Sequence, residues 1–451
     1  MKLIRSIAFT GVLLVGALGC ESVVEDLNIN PNEFTDISTG LLVNHSVLNM
    51  ASIAESEAAR IAGMWTDQFT GSDRQYISQD DYKVDDSDFD GVWEDLYRDG
   101  IVPSQIAQEK ASAEDATGLL GIAQITEAFY AGEAASLFGD VPYTQANQAT
   151  EFPDPVYDSQ ESVLRAAIAL LDQGFDNTAA NPTTNTPALA ITGGNSVLTG
   201  EATWQELSRG LKARYLLILR DYEGALAAAQ ESFDEVEDEP RIIHTTTNFA
   251  ENLFFQFEAE QRSDYLTFTG SYLTGVLQDS GAVSRADAKT DDANRLAFYT
   301  YTAGGFLRLN TNPGGYFAAD QDFPVVSYPE VQLIIAETAQ RTGDSELAIE
   351  ALNNARNYWD ELMGTDDYED FDDSDFDDDN SLLEAILLEK FVSVFGTPTF
   401  YDVIRTNNII GTNLDGRTTP AQRFLYPSVE RSSNSSFPGI KTLDDPTPIN
   451  M

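Results

Sequence analysis

The chain has 451 residues, with 26 Lys and Arg against 74 Asp and Glu, so its formal charge is −48. Such a surface repels phosphate and sets nucleic acid aside as a partner. It reads as the solvated acidic coat of an extracytoplasmic protein, with a specific cation-binding role as the sharper alternative. One Cys and two His leave no disulfide within the chain, no Cys/His metal cluster and no histidine base beside a nucleophile.

The N-terminus runs from basic Met1–Arg5 through apolar Ile7–Leu18 to Gly19-Cys20. That order predicts a secretory signal over residues 1–19, because the apolar run is too short for a membrane span of about 20 residues. Cys20, the lone cysteine, sits where cleavage makes it the first residue, and this resembles a bacterial lipoprotein. Cys20 is then the lipidation site and residues 20–38 a polar tether to the membrane. Ala17-Leu18-Gly19 departs from the usual residues before such a Cys.

Leu41–Gln68 has a helical pattern with Leu42, His45, Leu48, Met50, Ile53, Ile61, Met64 and Trp65 on its apolar side, although the phase drifts. His45 reads there as a core histidine. Phe69–Asp90 reads as a loop, and a helix from Asp90 carries Trp93, Leu96, Tyr97 and Ile101 on one face. Gly118–Phe138 spreads Ile, Phe, Ala and Gly around the whole cylinder, which predicts a helix packed on several sides. Gly139 and Pro142 end it. Glu161–Phe175 is helical, Asn177–Gly200 a loop, and Glu201–Gln230 one long helix. Its Arg209, Lys212, Arg214 and Arg220 are expected to pair with the acidic body. Residues 240–325 are rich in Gly, aromatics, Thr and Asn with little periodicity, and so long an irregular stretch points to function. Helices return at Tyr328–Leu362 and Leu382–Phe395, and the tail from Thr406 is loop.

The expected fold is mainly α, with tetratricopeptide-like helix pairs as scaffold and a large loop-rich lobe, though no strict 34-residue repeat shows. One domain is expected over 39–451, the scaffold at about 39–235 and 326–405 and the lobe at about 240–325.

Several stretches together resemble the SusD/RagB nutrient-binding outer-membrane lipoproteins of Bacteroidota. They are Cys20 with Leu27-Asn28-Ile29-Asn30-Pro31-Asn32, then Trp65–Gly71 with Tyr76, Phe138-Gly139-Asp140-Val141-Pro142-Tyr143 and Trp204–Arg220. Further along come Asp291–Leu296 (where Ala-Asn replaces the usual Pro), Ser327–Gln340, and Arg423–Pro427 with Glu430 and Asn434. Each motif is weak alone; their order over nearly the whole chain is specific. The resemblance implies tetratricopeptide-type helix pairs and a loop-rich lobe holding much of the ligand surface. It also implies a lipid-anchored protein on the exterior of the outer membrane. Such a protein would capture oligosaccharide or another nutrient and deliver it to a SusC-like TonB-dependent transporter, with no catalysis. An adhesive or structural surface protein is the alternative. A glycoside hydrolase stands behind both, because among 74 acids some carboxylate pair always exists.

A sugar surface needs flat aromatic faces and planar amides, carboxylates or guanidinium groups. Trp65, Asp67, Gln68 and Tyr76 lie at a helix-to-loop junction; Tyr265, Tyr272, Phe306, Asn310, Asn312 and Tyr316 lie in the irregular lobe. These are the candidate ligand residues, and for Trp65 plain core packing competes closely. Trp93, Trp204 and Trp359 follow helical stripes and read as core. The hexapeptide Asp-Asp-Ser-Asp-Phe-Asp occurs at Asp85–Asp90 and Asp372–Asp377. Calcium loops alternate oxygen ligands, with Gly at position 6 and Glu at 12. The first copy offers Asp86, Asp88, Asp90 and Gly91 but ends at Tyr97. The second offers Asp373, Asp375, Asp377, Asp379 and Glu384 but has Asp378 in place of Gly. Solvated loops that cap helices are the plainer reading, and no other cofactor is indicated.

Overall fold

The structure, a computed structural model, describes residues 37–180 and 202–451. The signal segment, Cys20, the Leu27–Asn32 motif and the Asn/Thr/Pro-rich stretch from residue 181 lie outside these described residues. The longer helices are α1 (Thr39–Ala54), α2 (Glu57–Trp65), α3 (Val102–Ala113), α4 (Thr117–Phe138), α5 (Gln160–Ala180) and α6 (Trp204–Ile218). They continue with α7 (Tyr222–Gln230), α8 (Tyr328–Thr342), α9 (Ser345–Met363), α10 (Asp379–Ser393) and α11 (Thr397–Arg405). From α3 to α9 each packs on the next, and α10 closes against α8 and α9. This is a stack of antiparallel-type helix pairs, with residues 240–325 looped out between α7 and α8.

The centre of the stack is α4, which is buried from Gly121 to Phe138 without interruption. Its small residues let neighbours approach closely. At the crossing with α5, Gly121 and Gly174 face each other so tightly that a Cβ on either would lie 2.9 Å from the other's carbonyl oxygen. Only glycine fits both positions. The helix ends at Gly139, whose φ of 87° forms the cap, its N–H donating to the Ala135 carbonyl. The turn that follows is clamped from the far end of the chain. Arg423 donates to the Phe138 carbonyl, Phe424 N to Leu137 O at 2.8 Å and the Tyr426 hydroxyl to Asp140 O at 2.6 Å. Two of the stretches that carry the resemblance therefore meet each other, and these contacts are structural.

Three long helical patterns are broken in two. The first breaks at Glu55-Ser56, which explains its drifting phase: Glu55 is fully buried and turned away to His244 and the Leu253 N–H. His45 is not in the core; its side chain is half exposed, with Asp99 at 3.8 Å, and Leu48 is exposed as well. The second breaks at Arg220, whose φ is 61° and whose guanidinium binds the Ile449 carbonyl at the C-terminus. The third breaks at Gly343. Trp93, Trp204 and Trp359 are buried as expected.

Three of the four cations expected to pair do so with carboxylates, whereas Arg220 donates to the Ile449 and Arg405 carbonyls and to Asn450. Arg209 and Lys212 share Asp172. Arg214 makes a two-pronged pair with Glu330 on α8, at 2.7 Å on both prongs, with Glu133 of α4 at 3.5 Å. This triad crosses three helices in the buried centre, where Tyr401 and Thr397 also donate to Glu133.

The lobe is less irregular than its composition suggests. It holds short helices at Tyr272–Leu277 and Ala293–Tyr299 and a hairpin, Thr300–Ala303 with Phe306–Leu309. One short strand pair, Thr70–Gly71 with Leu266–Thr267, joins it to the scaffold, and a second, Arg241–Ile242 with Phe323–Pro324, ties the two ends of the lobe together. Beneath the first, Phe69 of the scaffold packs among Phe254, Phe268, Phe317 and Phe395. Aromatic packing of this kind exceeds area burial alone by roughly 0.5–1.5 kcal/mol per pair.

Candidate functional site

Most of the candidate ligand residues belong to the core. Trp65 is 1% exposed, its indole N–H donates to Gln79 O at 2.8 Å, and Tyr82, Phe89, Phe400 and Phe424 surround its ring. Gln68 is wholly buried and donates to Phe391 O and Val394 O, tying α2 to the end of α10. Tyr76 is 3% exposed, accepts from Arg60 Nε at 2.7 Å and lies against Phe257 and Tyr265. Tyr316 is 8% exposed among Tyr299, Phe317 and Phe395. These four offer no open face; the loop position seen in sequence is covered by elements distant in the chain.

The other candidates are placed differently. Tyr272 is half-buried and donates to Ile410 O. Asn310 spends its amide on Ala297 O and Asn312, shaping the end of the hairpin. Asp67 is buried with φ 59° and one carboxylate oxygen without a partner. Burial pushes its carboxyl up to about 8; the Tyr272 N–H partly offsets this, and Asp415 and Asp80 add to it. Phe306 alone among the candidate aromatics keeps a large open face, 45% exposed, with the Arg308 guanidinium over its ring at 4.9 Å.

Both aspartate hexapeptides fold into the same device. Asp85 accepts from Ser87 N while Asp88 accepts from Asp85 N, and Asp372 with Asp375 repeats this. Asp375 also accepts from Lys289 Nζ at 2.7 Å, and Asp90 from Ser428. Asp379 already lies on α10, followed by Glu384. Among the described residues no group of three or more His, Cys, Asp or Glu is arranged to hold a metal ion. The set Asp373, Asp375, Asp377, Asp379 and Glu384 thus does not converge as a calcium loop would. Asp375 is taken up by the cap and by Lys289, and Asp379 and Glu384 lie on α10.

The junction near Trp65 and the lobe do come together, one layer further out. Where Thr70–Gly71 pairs with Leu266–Thr267, Ser72 N donates to Tyr265 O at 2.8 Å and Ser72 Oγ to Asp264 O at 2.5 Å. Beyond that pair opens a cleft of about 490 Å3, lined by Asp73, Arg74, Gln75, Gln261, Arg262, Ser263 and Tyr265. Arg74 and Asp264 hold φ of 47° and 72°. Such backbone costs about 1–2 kcal/mol at a non-glycine residue and persists only where the surroundings impose it. The Phe306 hairpin borders the same strands: Leu307 O accepts from Phe268 N and Thr267, and Arg308 pairs with Asp264 at 3.1 Å. Two guanidinium groups, two amides and a hydroxyl thus line the cleft, a donor and acceptor set suited to hydroxylated ligands, and the Phe306 ring lies outside that lining, connected to it through Arg308 and Asp264. The sequence held a signal for it. Ser72-Asp73-Arg74-Gln75-Tyr76 and Gln261-Arg262-Ser263-Asp264-Tyr265 contain the same five residue types, each ending in a Tyr that is buried to anchor the loop.

A second open cleft, of about 550 Å3, lies between α9 and the second aspartate loop, with Asn354, Asn357, Ile349 and Phe371 in its wall. Its amides are engaged: Asn354 with Gln332 and Asn357 with Asp370.

A stack of helix pairs with one large lobe looped out of it is the architecture of the SusD fold class. The comparisons give the family. The family model described as SusD-like, starch-binding and associating with the outer membrane, matches residues 31–399, and the chain belongs to that SusD-like family. Its members are binding proteins associated with the outer membrane. Among solved structures, a SusD/RagB family protein of Bacteroides thetaiotaomicron VPI-5482 is 18% identical with a TM-score of 0.65, covering 92% of this chain and 99% of the other. A SusD homologue of Bacteroides fragilis NCTC 9343 is 15% identical with a TM-score of 0.67, covering 92% and 100%. A chitin-binding protein is 16% identical with a TM-score of 0.61, covering 88% and 94%. A search of curated proteins returns no match. No helix among the described residues is long and apolar enough to cross a membrane.

Proposed function

We propose that this protein captures an oligosaccharide in the cleft between Ser72–Tyr76 and Gln261–Tyr265 and passes it to a SusC-like TonB-dependent transporter. In this reading the protein is anchored to the outer membrane through lipidated Cys20 and faces the exterior. The observation that carries the proposal is the convergence of two segments nearly 190 residues apart on one open, polar cleft. Gln75, Gln261 and Ser263 would meet sugar hydroxyls, and the open face of Phe306 would stack on a pyranose ring. Membership of a starch-binding family supports a glycan over other nutrients.

The test is a glycan panel against the soluble mature chain, repeated with Gln75→Ala and Phe306→Ala. Both substitutions fall on exposed or loop positions and leave the core intact. Loss of binding in both supports the cleft; binding unchanged in both places the ligand elsewhere.

A further inference from the structure

We infer that the cleft selects an acidic oligosaccharide, one carrying carboxylate groups such as uronic acid units. This rests on the reading of the cleft as the ligand site and adds the class of ligand. The argument is where this protein leaves its cations. Only 26 Lys and Arg stand against 74 acids, so an arginine anywhere has many carboxylates to pair with. Within the body they do pair: Arg214 with Glu330, Arg295 and Arg285 with Glu389, Arg405 with Glu337. The cleft is different. Its lining holds Arg74 and Arg262 against the carboxylate of Asp73, and the neighbouring Asp264 is already paired with a third cation, Arg308. Arg262 is exposed, donates only to the neighbouring Gln261 carbonyl at 3.1 Å, and makes no ion pair among the described residues. Arg74 lies 3.6 Å from Asp73 through Nε, with 73% of its side chain exposed and the end of its fork unused.

Bulk charge does not cancel this. The Debye length at physiological ionic strength is about 8 Å, so an anion inside the cleft responds to the groups that line it more than to the distant surface. A guanidinium offers a planar fork that matches a carboxylate two-prong to two-prong, and such charge-assisted bonds are about twice as strong as neutral ones. Gln75, Gln261 and Ser263 then read the hydroxyls beside the acid group.

The experiment is calorimetric titration of the soluble mature chain with oligogalacturonate, with its fully methyl-esterified neutral form, and with a maltooligosaccharide. Each is run at about 0.05 M and about 0.5 M NaCl on the wild type, Arg74→Gln, Arg262→Gln, Gln75→Ala and Phe306→Ala. The expected result is binding of the acid form at least about tenfold tighter than the ester at low salt. That preference should shrink at high salt and disappear in Arg262→Gln, while Phe306→Ala weakens acid and ester alike. Equal affinity for acid and ester, both lost in Gln75→Ala and Phe306→Ala, overturns the acidic class and leaves the cleft standing. Acid binding that no cleft substitution alters overturns both. Binding of the maltooligosaccharide alone overturns the acidic class.

Discussion

Replacing Asp67 by Asn should flatten the dependence of stability on pH. Asp67 is buried, one of its oxygens has no partner, and its carboxyl lies at about 8 against an ordinary 3.8, chiefly because burial disfavours the charge. Between those two values the folded chain keeps a proton that the unfolded chain has released. Stability from this group is therefore full below about pH 4 and falls as pH rises toward 8. Each unit of that interval is worth about 1.36 kcal/mol, so the wild type should lose roughly 3–4 kcal/mol from Asp67 between pH 5 and pH 8. Asn keeps the shape and the neutral state at every pH. Urea unfolding at both pH values, on wild type and Asp67→Asn, measures the difference directly. The advantage of the variant at pH 8 over pH 5 should reach that size. Equal slopes in the two proteins would refute the reasoning, because the carboxyl would then be ionised in the fold as it is outside it.

The remaining predictions concern the scaffold and the aspartate loops. Stability should peak near pH 5. On the alkaline side His244, raised by the Glu55 carboxylate against the pull of burial, loses its contribution as pH rises through its folded value. On the acid side Glu337, held down at about 2 by Arg405, loses its contribution as pH falls toward that value; a calorimetric melting series checks both. Arg214→Met leaves Glu330 and Glu133 buried without their cation and should cost about 3–5 kcal/mol in chemical unfolding. Gly121→Val should disrupt the α4–α5 crossing outright, visible as loss of soluble folded protein or a large fall in melting temperature, because the added atoms meet backbone. Trp65→Ala should lower stability by about 3–5 kcal/mol yet leave glycan affinity of the remaining folded protein unchanged, since the ring reaches no surface. Calcium titration should give neither heat nor a melting shift, because Asp375 is already held by Lys289 and the Asp372 N–H.

Much of the scaffold was legible in the sequence, because it depends on local rules. The all-round small and apolar pattern of α4 identified a packed central helix, and Gly139 marked its end. Breaks inside long patterns were not legible. Arg220 takes a left-handed turn and Glu55 turns inward for reasons that lie across the chain, at Ile449 and His244. What the sequence did not show was how deep the candidate aromatics lie. Trp65 and Tyr76 do stand beside the cleft region, but whether an aromatic at a helix end faces solvent depends on what later elements cover it. Phe424 and Phe400 cover Trp65, and Phe257 and Tyr265 cover Tyr76. The residues that line the cleft are short runs of Asp, Arg, Gln and Ser, which in isolation look like any solvated loop. Only the pairing of Thr70–Gly71 with Leu266–Thr267 makes them one surface.

Amide hydrogen exchange on the soluble mature chain, with and without a glycan that binds it, tests the central claim most directly. Residues 70–76 and 259–266, with the hairpin at 300–309, should gain protection on binding while the rest of the protein stays unchanged. Protection confined to residues 345–373, along the second cleft, would contradict the assignment and move the ligand to the α9 face.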